Sequence, residues 1–229
     1  MLIMKLIVIS SPGIYENEHE IIQSLFENEL EYFHLRKPGW PEDKLDNLIK
    51  RIKRIYHNRI IIHSHYQLSK KYKLKGIHFP EKVRNRLNSK LDFPPLLRGD
   101  QGGYSEIQND SSRDIYQVSD INYKKLYIST SFHTLSHLYN YDSLYQYVFI
   151  SPVFDSISKK GYRSAFKEIE IVKALNQTKY DVIALGGITI DRISKARQLG
   201  FSGIAVLGAF WNSPDPVDEF IRLRLAIRE

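Results

Sequence analysis

An α/β fold, closed into a (β/α)8 or TIM barrel, is predicted by three features of the 229-residue chain. Eight short apolar runs alternate with amphipathic stretches from one end to the other, the pattern of repeated βα units. The runs are rich in β-branched residues and lack polar alternation, so each suits a strand buried on both faces of a parallel sheet. The length fits one compact barrel, and nearly every run is followed by a helix-like stretch, which favours closure over an open doubly wound sheet.

The first strand is Lys5–Ser10. It lies in an apolar stretch, Met1–Ile9, that is too short to span a membrane and has no small-residue cleavage pattern. A helix at Glu16–Glu29 leads to a strand at Tyr32–Arg36, and Pro41 opens a helix at Glu42–Tyr56. Strand Ile60–His63, helix Tyr66–Tyr72 and strand Gly76–Phe79 follow. Between Glu81 and Lys125 the rhythm breaks: Pro94-Pro95, Gly99, Gly102-Gly103 and a polar tract from Ser105 to Ser119 predict a surface loop or lid. It reads as a polar insertion around 84–124 within a single domain over 1–229. Units resume with strand Leu126–Ser129 and helix Leu135–Tyr141, then strand Tyr147–Ser151 and helix Phe166–Asn176. Strand Val182–Leu185, helix Asp191–Leu199, strand Gly203–Leu207 and helix Pro216–Ile227 complete the chain.

Hydrophobic residues make up 42%, as in a globular protein, and the absence of cysteine excludes disulfides, thiolate zinc sites and thiol catalysis. A cytoplasmic protein without a membrane partner is expected. The net charge of +7 and pI near 9.3 suit an anionic ligand or nucleic acid. Lys44, Lys50, Arg51, Lys53 and Arg54 fall at helical spacing, however, as on a solvated face, and there is no RNA-binding fingerprint. No nucleic-acid partner is expected, and the sequence is compatible with an oligomer.

In a barrel the chemistry sits just past the strands. Two glycine-ended runs, Ala184-Leu185-Gly186-Gly187-Ile188 and Gly203-Ile204-Ala205-Val206-Leu207-Gly208, read as a phosphate cradle after the last two strands. The alternative is a pair of tight strand-to-helix turns. Strand two ends Phe33-His34-Leu35-Arg36-Lys37, which puts His34 and Arg36 on one side. Arg36 offers a planar fork for phosphate and Lys37 adds charge; the alternative for Arg36 is a rim ion pair. His63, His65 and His78 lie at the ends of strands three and four. They resemble a metal constellation but lack a ligand spacing motif, so hydrogen-bonded packing is expected and no metal is assigned. Ser129-Thr130-Ser131-Phe132-His133-Thr134 reads as a turn in which His133 shuttles a proton or Ser131 or Thr134 caps a helix. After strand six, Ser156, Ser158, Lys159 and Lys160 either wrap an anion or form a solvated loop.

Taken in order, these loops resemble the thiamine phosphate synthase family, which includes a thiazole tautomerase branch. Ser151-Pro152-Val153-Phe154-Asp155-Ser156-Ile157-Ser158-Lys159-Lys160 is similar to the family's G-P-V-F-x-T-x-T-K-K, and Ala184–Ile188 to A-I-G-G-I. Gly203–Val206 is similar to D-G-V-A-V, Gly76–Phe79 to G-V-H-L, and Ser131 with His133 to an S-x-H turn. The resemblance implies coupling of a hydroxymethylpyrimidine diphosphate to a hydroxyethylthiazole phosphate, with release of pyrophosphate. It places Arg36 and Lys159 on the pyrophosphate, with Ser131 near it. Ser156 and Ser158 fall on the thiazole phosphate side, and Gly187, Leu207 and Gly208 donate backbone N–H groups to that phosphate.

The chain departs from the pattern where the synthase has Q-x-R-x-K on strand two, since it carries His34, Arg36 and Pro38. His63-Ser64 replaces N-D, and Glu81-Lys82-Val83 replaces Q-E-D, so the carboxylates expected for Mg2+ are missing from their places. A histidine before the strand-two arginine also resembles the tautomerase branch, which uses no metal and in which His133 would be the acid-base group. A non-catalytic binder of phosphorylated thiamine precursors is the third reading.

Overall fold

The structure is a computed structural model that describes residues 4–89, 126–155 and 166–229, without the side chains of residues 86–89. Eight parallel strands close into a barrel in sequence order. They are β1 (Lys5–Ile9), β2 (Tyr32–Leu35), β3 (Ile60–Ile62), β4 (Gly76–Phe79), β5 (Tyr127–Phe132), β6 (Tyr147–Ile150), β7 (Val182–Leu185) and β8 (Gly203–Val206). The last strand returns to the first through the register Lys5↔Gly203 to Val8↔Val206. The helices are α1 (Glu18–Glu27), α2 (Glu42–Arg51), α3 (Gln67–Tyr72), α4 (Glu81–Ser89), α5 (Glu168–Gln177), α6 (Ile193–Leu199), α7 (Gly208–Trp211) and α8 (Pro216–Ala226), with 3-10 turns at Arg54–Arg59, Leu135–Tyr139 and Ile190–Arg192.

The two-residue period of a strand divides the core into two shells. Ile7, Ile9, Tyr32, Ile61, Tyr147, Phe149, Ile183 and Ala205 fill the barrel interior. Their strand neighbours, such as Val8, Phe33, Ile62, Ile77, Val148 and Ile204, pack outward against the helices. Small residues make the closure fit: a Cβ on Gly76 would lie 1.9 Å from the Tyr127 carbonyl oxygen, and one on Gly203 would lie 2.6 Å from that of Lys5.

Several elements differ from the sequence-based expectation: the helix expected over Glu42–Tyr56 ends at Arg51 and is followed by the 3-10 turn Arg54–Arg59, and the one expected from Asp191 begins at Ile193 after a 3-10 turn. α4 runs through Ser89, so the insertion expected from residue 84 begins as helix; Val83 and Leu87 are the only large apolar residues in it, which hides its pattern. β5 continues to Phe132, so Ser131 belongs to the strand and not to a turn. The segment expected as helix Leu135–Tyr141 is a 3-10 turn, and its first residue is preceded by Thr134 without a side-chain cap. The rest of the insertion, and the loop with Ser156, Ser158, Lys159 and Lys160, lie outside the described residues.

Candidate active site at the barrel mouth

Parity carries the inward set beyond the strand ends. On β2, His34 follows Tyr32 into the interior, and Arg36 continues the same side to the mouth, where it is exposed. Ser10, after β1, pins this extension: its Oγ accepts from the Arg36 N–H and donates to the Arg36 carbonyl, each at 2.8 Å. Lys37 has the opposite parity. Its buried ammonium donates to the Ser11 and Gly13 carbonyls at 2.7 Å each and pairs with Glu18 on α1. Lys37 therefore does not add the charge expected of it at the anion site, because every ammonium donor it has is already engaged. Burial lowers the Lys37 pKa and raises that of Glu18, each partly offset by the other partner.

Beneath Arg36 the interior holds a polar layer. The rings of His34, His63 and His78 are buried, with His34 Nδ1 2.9 Å from His63 Nε2 and the His63 ring stacked on His78 at 4.2 Å. His34 Nε2 lies 2.6 Å from the Tyr147 hydroxyl, and His78 bonds Ser129 at 2.9 Å and Ser131 at 3.0 Å. Burial is the main cause that lowers the pKa of all three rings, His34 to about 3. For His63 and His78, repulsion from the neighbouring rings and from Arg36 adds to it. His63 thus sits in the interior with His34 and His78, while His65 turns away in a left-handed conformation and bonds the Trp40 carbonyl at 2.9 Å.

At the opposite side of the mouth, His133 is exposed, and its Nδ1–H donates to the Ser151 carbonyl at 2.8 Å. That bond fixes the tautomer and leaves Nε2, 3.9 Å from Glu81, as the proton-accepting nitrogen. Glu81 also pairs with the buried Arg84 at 3.2 Å, and Arg84 in turn donates to the Ser131 carbonyl. Neither Ser131 nor Thr134 caps a helix: Ser131 bonds His78, and Thr134 bonds the His137 ring at 2.7 Å.

The glycine-ended runs finish side by side, because β7 and β8 pair through Leu185↔Ala205. Gly186 and Gly187 take left-handed φ values of 95° and 65°. A Cβ on Gly187 would meet the Asp155 carbonyl oxygen at 2.4 Å, so glycine is required for the β6 and β7 loops to touch. Arg192 fastens the same contact, donating to the carbonyls of Gly187 at 2.6 Å and Asp155 at 3.0 Å. Leu207 and Gly208 open α7, which Trp211 ties to β1 through a 2.7 Å bond to the Ile9 carbonyl. The mouth thus brings Arg36, Ser131, His133, Gly186, Gly187, Leu207 and Gly208 to one end of the barrel. Arg84, Arg192, Tyr147 and Ser129 were not selected from the sequence, although strand parity marks Tyr147 and Ser129 as inward.

Residues 108–210 match the family model described as thiamine monophosphate synthase. A thiamine-phosphate synthase of Salinibacter ruber is 33% identical over 87 residues, which is 38% of each chain. One from Prochlorococcus marinus (strain MIT 9303) is 34% identical over 82 residues, 36% of this chain and 23% of the relative. The matched segment thus spans well under half the length of these curated relatives. Over whole chains, the crystal structure of thiamine phosphate pyrophosphorylase from Bacteroides thetaiotaomicron superposes with a TM-score of 0.71 at 28% identity, covering 97% of both. The thiamine phosphate pyrophosphorylase of Pyrococcus furiosus shares the fold at a TM-score of 0.70 and 17% identity, covering 99% of this chain and 96% of its own. Together with the ordered loop motifs and the closed barrel, these matches make the chain similar to thiamine phosphate synthases, in sequence over residues 108–210 and in fold over nearly its whole length.

Proposed function

We propose that the protein is a thiamine phosphate synthase, joining a hydroxymethylpyrimidine diphosphate to a hydroxyethylthiazole phosphate. The observation that carries this reading is the pair of glycine-ended loops after β7 and β8, facing the same mouth as Arg36 after β2. In the reaction the bond from the pyrimidine methylene to the diphosphate oxygen breaks, and its electrons leave with pyrophosphate. The thiazole nitrogen lone pair then forms the new carbon–nitrogen bond. Such a step needs orientation of two rings and stabilisation of the leaving group more than proton transfer. Arg36 takes the leaving diphosphate with its fork of donors, and the family resemblance adds Lys159, with Ser131 beside them. Backbone N–H groups at Gly186, Gly187, Leu207 and Gly208 receive the thiazole phosphate, with Ser156 and Ser158 on that side.

The family works with Mg2+, but the described residues do not fit it. Ser64 and Val83 stand where its carboxylates are expected, and Glu81 is held by Arg84. The hard oxygen ligands that Mg2+ prefers are thus missing from these two positions among the described residues, and no step is assigned to it. A single-domain protein acting on small phosphorylated substrates is part of the proposal; among the described residues no helix is long and apolar enough to cross a membrane.

The test is incubation of the purified protein with both substrates, with and without divalent cations, and quantification of thiamine phosphate and pyrophosphate. Equimolar formation of the two supports the synthase. Conversion of the isomeric thiazole carboxylate phosphate without coupling would replace it by the tautomerase reading, and ligand binding without turnover by that of a binder.

A further inference from the structure

The three interior histidines come from adjacent strands, β2 and β4 and the residue just past β3, with their side chains on the inward side by strand parity. Each offers a ring nitrogen within 4.8 Å of those of the other two, and all three are buried. Their remaining polar contacts are hydroxyl groups. His34 Nε2 bonds the Tyr147 hydroxyl, and His78 bonds Ser129 through Nδ1 and Ser131 through Nε2, so an ion on His78 Nε2 takes the place of the Ser131 hydroxyl. Two imidazoles are thus each orientated from behind by one hydroxyl, His34 by Tyr147 and His78 by Ser129. This is how a protein fixes metal-binding histidines, whose second nitrogen is held by an outer partner.

From this geometry we propose that His34, His63 and His78 form a binding site for a divalent first-row transition-metal ion of the Zn2+ class. An all-imidazole set suits such borderline ions and not Mg2+ or Ca2+. The ion takes the place of the N–H···N contact between His34 and His63. His63, at 8% the most exposed of the three, leaves its stack on His78, because a metal lies in the plane of each ring that binds it. Three neutral ligands leave the ion's charge unbalanced, and Arg36 and Arg84 add to the positive field at His78. The fourth ligand is accordingly an anion, hydroxide where no other is present. The site is independent of the synthase reading, since its test is metal binding alone.

Tag-free full-length protein, stripped with a chelator, is titrated with Zn2+ and with Co2+, and followed by metal analysis and visible absorption. The expected result is about one ion per chain and the d–d bands of a four-coordinate cobalt site. His63→Ala abolishes the bands, Tyr147→Phe weakens binding about 10- to 100-fold by removing the support behind His34, and His65→Gln leaves both unchanged. Circular dichroism checks that each variant is folded; should His63→Ala fail this, His78→Asn replaces it. Absence of the cobalt bands in the wild-type protein overturns the proposal, as do bands that survive His63→Ala or His78→Asn, or that require His65.

Discussion

Arg36 and Lys37 follow one another after β2, and the pleat sends one to the barrel mouth and the other against α1. Reading both as anion ligands from sequence treated adjacency as proximity, whereas the two-residue period already separates them. The same period makes His34 and Arg36 neighbours on one side, and that part of the site was legible. What the sequence did not disclose is that Lys37 finds a buried carboxylate on the next helix, because a tertiary ion pair leaves no local pattern. Its energetics follow from desolvation: the pair is buried, and burial moves each partner toward its neutral form. Lys37→Met alone strands the Glu18 carboxylate and is expected to cost about 3–5 kcal/mol in denaturant unfolding. Lys37→Met with Glu18→Gln is expected to recover most of that loss; a double variant as unstable as the single one would contradict this account.

At the scale of elements, strand positions were legible because apolar β-branched runs mark doubly buried strands, and β4 and β7 fall where the sequence puts them. Helices were less so. α4 carries few apolar residues and is anchored instead by Arg84, whose guanidinium reaches β5. The strands also impose tight contacts. Gly76→Ala would drive a Cβ into the Tyr127 carbonyl and is expected to destabilise the β4–β5 pairing by about 3 kcal/mol, measurable by thermal or denaturant unfolding. On the outer layer, Asp46 on α2 receives hydrogen bonds from Lys50, Lys71 and Tyr72, which hold its pKa well below the usual carboxylate range. A depressed folded-state pKa adds stability above the unfolded value, about 3.9, that disappears as pH falls toward the folded one. Asp46→Asn is expected to flatten the stability–pH curve below about pH 4; an unchanged acid limb would show that the carboxylate is not ionised preferentially in the folded state.

For the whole molecule, closure of β1 on β8 makes the first and last strands part of one sheet, and Trp211 on α7 adds a second tie to β1. Tryptophan fluorescence and far-ultraviolet circular dichroism are therefore expected to report one coincident unfolding transition, and separate transitions would point to independently folding parts. Closure also sets the functional geometry, because it holds the β7 and β8 loops at the same mouth as Arg36. The central claim is a division of labour across that mouth, with diphosphate on Arg36 and thiazole phosphate on the glycine loops. Arg36→Ala tests it most directly, with turnover and thiazole phosphate affinity measured on the same preparation. Loss of a leaving-group contact is expected to lower kcat by about 10²- to 10³-fold while the Kd for thiazole phosphate stays within about twofold. An equal loss of turnover and thiazole phosphate affinity, or unchanged turnover, would contradict the assignment.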